Sequence, residues 1–204
     1  MKIFRNGLAT GLILQLAVGP VFFFIANLTL QGTIFNGLAG VLAVTIVDYF
    51  YITLAIFGVG KLLENNKVKK IFGIVSSIVL AVFGLIIIKG VVGGVSSTTG
   101  TISMTLISSF ISVFLLTISS PMTIVFFTSL FTAKALEYNY QKKELLMFGL
   151  GTGFATLSFM GVSTIIFSLI KGDIPVLLIK ILNLIVGCLL IGYGGIRLIK
   201  SSRL

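Results

Sequence analysis

Residues 7–30 read GLATGLILQLAVGPVFFFIANLTL, a stretch without a single charged side chain. A helix needs roughly 20 consecutive apolar residues to cross the ~30 Å hydrocarbon core of a bilayer, so this run is long enough to span one. Its proline, Pro20, sits inside the run rather than at an end. An interior proline removes an amide donor and clashes with the carbonyl four residues earlier, at a cost of roughly 3 kcal/mol in water. The carbonyl freed near Leu16 then needs a partner, because hydrocarbon offers none. These residues predict a membrane helix with a break in it.

The rest of the chain has the same character. Hydrophobic residues make up 57 % of its 204 residues and charged ones 10 %, against roughly 45–50 % and about 25 % in soluble domains. A water-soluble fold could not cover its surface with so few charges. Soluble enzymes, nucleic-acid binders and disordered proteins are thereby excluded. The chain has no His and a single cysteine, Cys188, so intrachain disulfides, Cys/His metal sites and His-dependent catalysis are excluded too. An aspartyl intramembrane protease needs two carboxylates at one site, and a phosphate loop needs its lysine; neither pattern occurs. No enzyme activity and no cofactor are expected.

Further apolar runs follow at 37–60, interrupted only by Asp48, and at 71–88, 106–133, 145–170 and 181–199, where Arg197 can snorkel from the last turn. Between the third and fourth lies GVVGGVSSTTGTISMT (90–105), rich in Gly, Ser and Thr, which reads as a loop. Barrel strands would instead alternate over about ten residues. Lys2 and Arg5 before an apolar run resemble a secretory signal, but the run exceeds the 7–15-residue core of one. The expectation is an all-α membrane protein with six transmembrane helices.

Alternating spans would put Lys2, Arg5, Lys61, Lys67, Lys69, Lys70, Lys134, Lys142, Lys143, Arg197, Lys200 and Arg203 on one side. Only Lys89, Lys171 and Lys180 fall on the other. Basic residues concentrate on the cytoplasmic side, so both termini should be cytoplasmic, in a multi-pass protein of the cell (inner or plasma) membrane. The net charge of +10 then orients the chain in lipid, and no nucleic-acid partner is expected.

The six spans fall into two sets of three, residues 1–95 and 96–204, together one transmembrane domain. The first span of each set carries an internal proline followed by aromatics: Pro20 in QLAVGPVFFF and Pro121 in TISSPMTIVFF. In the third spans, Leu80, Gly84 and Ile86 match Leu190, Gly194 and Ile196. Three spans per set means that the second enters from the opposite side, giving inverted repeats. Interrupted helices at corresponding positions then point to a substrate site near the midplane. Gly19 removes bulk beside Pro20, Ser119 and Ser120 supply hydroxyls before Pro121, and Gln15 shares a helical face with Gly19. The carbonyls freed near Leu16 and Thr117 are candidate partners for a substrate ammonium group.

Asp48 lies near the middle of the second span, where a carboxylate costs about 2.5–3.5 kcal/mol on insertion scales and marks a functional site by default. Without an intramembrane Lys, Arg or His to pair with, its charged form is disfavoured, which suits a group that takes up and releases protons. Thr45 and Tyr51 fall on its helical face and are candidates to hydrogen-bond it and line a wet crevice. The matching span of the second half has no acid. Its Gly149, Thr152, Thr156 and Ser163 read as a helix-packing face, as do the GxxxG spacings of GLATG (7–11) and GLGTG (149–153). Asn27 and Asn183 read as polar groups that satisfy neighbouring helices.

With LQLAVGPVFFF, the glycine-bearing turn QGTIFNGLAG, VTIVDYFYITLAIFGVG, FLLTISSPMTIVFF and GCLLIGYGGIRLIK, the chain resembles the LysE family of bacterial amino-acid exporters over most of its length. That resemblance implies a six-helix, inverted-repeat secondary transporter exporting amino acids or related small solutes, driven by the proton gradient. Here Val18-Gly19-Pro20 stands where the family usually has Pro-Gly-Pro, and Ser120-Pro121-Met122 where it usually has Asn-Pro-Lys. The expected substrate site is Gln15, Gly19, Pro20, Ser119, Ser120 and Pro121. The expected proton-coupling residues are Asp48, Thr45 and Tyr51, with pairing of Asp48 to the substrate cation as the alternative role. Expected partners are an amino-acid substrate, protons and the lipid bilayer, with homo-oligomers left open by the small-residue faces. Alternatives are an ion or small-solute carrier or channel of the same superfamily, or a non-transporting membrane scaffold.

Overall fold

A computed structural model describes residues 1–16, 19–57, 66–92, 105–173 and 175–202. The described regular elements are all helical: α1 (Lys2–Gln15), α2 (Pro20–Gln31), α3 (Ile34–Ile56), α4 (Asn66–Val92), α5 (Leu106–Ile118), α6 (Pro121–Tyr138), α7 (Lys142–Ile170) and α8 (Val176–Ser202). A 3-10 turn, Lys171–Asp173, leads out of α7. Most of the loop expected at 90–105 lies outside the described residues, as does the side chain of Arg197.

Both predicted breaks are present, and each proline starts a new helix. Pro20 and Pro121 occupy the first turns of α2 and α6, where the missing N–H costs nothing because that position has no intrahelical acceptor. The residues before them, Gly19 and Ser120, are extended, as a residue preceding proline prefers to be. The chain bends by 80° between α1 and α2 and by 62° between α5 and the part of α6 from Thr123 onward. Taken singly, α3 and α7 are long and apolar enough to cross a bilayer; with each bent pair as one span there are up to four such segments. Among the described residues of α4 and α8, the continuous apolar stretches are Ser77–Lys89 and Lys180–Ile196.

The turn between α2 and α3 is set by sequence. Gly32 ends α2, where a Cβ would stand 2.8 Å from the Leu28 carbonyl. Thr33 then caps α3 in a reciprocal box with Asn36, and Asn36 Nδ2 donates to Ser109 Oγ on α5 at 3.0 Å.

Glycines decide how closely the helices pack. A Cβ on Gly7 would lie 2.1 Å from the Phe148 carbonyl oxygen, and one on Gly151 2.2 Å from that of Phe4. The two GxxxG stretches therefore face each other, and α1 runs parallel to α7, from Phe4 beside Gly151 to Gln15 beside Thr156. By contrast α3 and α7 run antiparallel, with Gly37 beside Thr164, Gly153 beside the Tyr49 ring and Gly149 beside Ile52. The pair α4 and α8 is antiparallel as well, Gly84 meeting Gly187 and Ile191 while Gly194 meets Ser77 and Leu80.

Buried side chains from α2, α3, α4, α5, α7 and α8, including Phe24, Val41, Leu80, Val113, Met160 and Leu190, form one apolar cluster. Those of α3, α6 and α7, including Ile52, Phe127, Phe131 and Phe148, form another. Helices α3 and α7 belong to both, and α3 is the central strut. Its remaining face, with Leu42, Ile46 and Phe50 about half exposed, suits lipid contact rather than water.

Close approach makes a stability prediction. Gly7→Ala should lower stability by about 1–3 kcal/mol through overpacking against backbone. Gly161→Ala, whose Cβ meets nothing within 4 Å, should be neutral or gain up to about 1 kcal/mol. Thermal unfolding of both variants in detergent distinguishes them.

Candidate functional site

Asp48 is 6 % exposed at the crossing of α3 and α7. Its Oδ2 accepts a hydrogen bond from Thr156 Oγ1 at 2.8 Å, and Thr156 is itself 2 % exposed. The same hydroxyl oxygen accepts from Gln15 Nε2 at 2.6 Å. Gln15 is the last residue of α1, immediately before the first break. A three-member chain, Gln15 to Thr156 to Asp48, thus joins α1, α7 and α3.

The expected neighbours of Asp48 have other partners. Thr45 donates its hydroxyl proton to the Val41 carbonyl at 2.7 Å, the usual back-bond of a helical threonine. Tyr51 donates to the Ile118 carbonyl at 2.6 Å. Thr156, read from sequence as packing, is the donor to the carboxylate. Helical spacing shows which residues share a face, while the group opposite is supplied by another helix. A signal was nevertheless present: counted from the N-caps Thr33 and Gln141, Asp48 and Thr156 occupy the same position in their helices.

The described residues at the two breaks have different surroundings. At the second, the Thr117 carbonyl freed by Pro121 accepts from Ser120 N–H at 3.0 Å, and Ser119 N–H donates to Leu115 O. Ser119 Oγ also donates to Leu115 O, at 2.6 Å, and Ser120 Oγ accepts from Thr123 Oγ1 at 3.2 Å. Ser119 therefore spends its hydroxyl proton on its own helix. At the first break, Gly19 is in open space, with nothing within 4 Å of where a Cβ would be. A cavity of about 80 Å³ opens there, lined by Gly19, Pro20, Phe23, Leu189 and Tyr193. That cavity is mainly apolar in its lining and does not reach Asp48 or Ser120.

A second buried polar cluster joins α2 to α8. Asn27 Nδ2 donates to Asn183 Oδ1, and Gln31 Nε2 donates to Asn183 Oδ1 at 2.9 Å. Nearby, Lys171 Nζ donates to the Gly32 carbonyl, placing a cation at the C-terminal end of α2 where the helix dipole favours it. Asn27 and Asn183 thus satisfy one another, as their isolation in apolar sequence suggested. Among the described residues no group of three or more His, Cys, Asp or Glu side chains converges to hold a metal.

The chain matches the LysE type translocator family over residues 12–201 and belongs to it. It is therefore a membrane transporter of small solutes. No curated protein and no solved structure matches the chain.

The amide cluster yields a stability prediction. Asn183→Leu leaves the Asn27 amide buried without its acceptor and should cost about 1–2 kcal/mol. In a double-mutant cycle with Asn27→Leu, the coupling should be roughly 0.6–1.7 kcal/mol; independent effects of the two substitutions would contradict it.

Proposed function

We propose that this chain is a secondary transporter that exports an amino acid or a related small solute from the cytoplasm, coupled to protons through Asp48. In this reading six spans form two inverted three-helix repeats in the cell membrane, with α1/α2, α3 and α4 matched to α5/α6, α7 and α8. Both termini are cytoplasmic, following the distribution of Lys and Arg. Several packing relations support the inversion. The matched helices α3 and α7 are antiparallel, and so are α4 and α8. The α1–α7 contact has its counterpart in α5–α3, and α2–α7 in α6–α3. Gly84 meets Gly187 and Ile191, while its sequence match Gly194 meets Ser77 and Ala81; the same offset that aligns the two glycines relates their neighbours.

One observation carries the coupling: a carboxylate at the seam between the halves is hydrogen-bonded through Thr156 to the residue that ends α1 at the break. An ionised carboxylate only accepts hydrogen bonds, whereas a protonated one can donate. Taking up a proton at Asp48 changes what Thr156 can do with its single hydroxyl proton, and with it the hold on Gln15. The substrate is then bound near the breaks, at Gly19-Pro20 and Ser119-Ser120-Pro121. The open space beside Gly19 supports the first of these positions more directly than the hydrogen-bonded second.

The test is flux in proteoliposomes with a panel of amino acids under an imposed pH gradient. Asp48→Asn should fold and lose gradient-driven transport. Unchanged efflux in that variant would remove Asp48 from the mechanism.

A further inference from the structure

Asp48 and Tyr51 lie on one face of α3, a helix uninterrupted from Ile34 to Ile56. Each is joined to the end of a broken span. Asp48 reaches Gln15, the last residue of α1, through Thr156. Tyr51 reaches the carbonyl of Ile118, the last residue of α5, directly. The final carbonyls of any helix lack intrahelical partners, and in hydrocarbon each unmet one is costly. At the second break the Thr117 carbonyl is met by Ser120 N–H, while that of Ile118 depends on a donor from another helix. The Tyr51 side chain is 4 % exposed, in the apolar cluster that includes Ile124 and Phe127, so the ring is held and the hydroxyl is aimed.

We infer that α3 links the two breaks mechanically, with Tyr51 as the positioning residue that ties the second break to the state of Asp48. The inference rests on the proton-coupled reading of Asp48. A rigid helix that shifts when its carboxyl group changes charge must carry Tyr51 with it, and so release or re-form the hydrogen bond at Ile118. The two halves then respond to one proton together, although of the matched helices α3 and α7 only α3 carries an acid at mid-span.

No competing titratable group sits at the middle of the surrounding helices. Of the helices packed on α3, α2 and α5 contain no ionisable side chain. Those of α6 (Lys134, Glu137, Tyr138) and α7 (Lys142, Lys143, Glu144) cluster at one end of each helix. Beyond Asp48, α3 itself has only Tyr49, whose hydroxyl donates to Leu150 O, and Tyr51.

The test uses the full chain in proteoliposomes, with the lone cysteine removed as Cys188→Ser and single reporter cysteines introduced as Gly19→Cys or Thr123→Cys. The readout is the rate of labelling by a membrane-impermeant maleimide in acidic and in alkaline buffer. In the parent, both reporters should change rate between the two conditions; with Asp48→Asn, neither should. With Tyr51→Phe, which keeps the ring and removes only the donor, the Gly19→Cys reporter should retain its response. The Thr123→Cys reporter should lose its response by roughly fivefold or more. Equal responses at both reporters in Tyr51→Phe would overturn the inference while leaving the role of Asp48 intact. An Asp48→Asn protein whose Thr123→Cys reporter still responds would overturn it without any change at Tyr51. Parent reporters that ignore pH, together with full transport by Asp48→Asn, would overturn the proton-coupled reading itself and the link with it.

Discussion

A carboxyl group inside a bilayer must find a hydrogen-bond partner in the protein, and that requirement organises this molecule. Asp48 finds Thr156 across the α3–α7 crossing. The contact needs the two helices close together, and close approach needs residues without bulk. Gly149 and Gly153 provide it on α7, taking Ile52 and the Tyr49 ring against their backbones. On the other side of α7, Gly151 receives the backbone of α1 while Gly7 and Gly11 of α1 accept α7 in return. A helix so closely flanked on both sides brings Gln15, Thr156 and Asp48 into one line.

The prolines create the second constraint. Each break exposes backbone groups that the membrane cannot solvate. The second is sewn shut by local bonds from Ser119 and Ser120 and by the distant hydroxyl of Tyr51. The first sends its terminal side chain, Gln15, away to α7 and leaves Gly19 beside empty space. In the proposed inverted-repeat reading, the two sets of helices are therefore unequal in chemistry. One contributes Asp48 and the space beside Gly19; the other contributes Thr156, which answers the acid, and a break closed by local hydrogen bonds.

Away from the crossing, the Asn27–Asn183–Gln31 cluster and Lys171 on Gly32 fasten α2 to α8 and to the turn after α7. The α4–α8 pair closes around glycines, Gly84 and Gly194 each lying against the other helix, with Leu80, Val186 and Leu190 buried beside them. Helices in lipid gain nothing from burying leucine against leucine instead of against acyl chains, so packing geometry and a few polar bonds must hold them together. That explains why small and amide side chains recur at these contacts while Leu, Ile and Phe cover the outer faces.

The sequence alone determined the properties that depend on the solvent. Charge-free runs show a chain made for lipid, because hydrocarbon rejects charges wherever they are along the helix. Pro20 and Pro121 mark breaks because a proline ring acts on its own backbone, and Asp48 stands out because an acid at that depth needs a reason. The glycine spacings, too, were visible as potential contact faces. What only the tertiary structure decided is which group answers which. Thr156 opposite Asp48, Tyr51 on the end of α5 and Asn27 on Asn183 join residues far apart in the chain. A helix's periodicity reports the direction a side chain takes from its own axis; the identity of what it meets is set by the register of a neighbour, and that register is fixed only when all the helices pack.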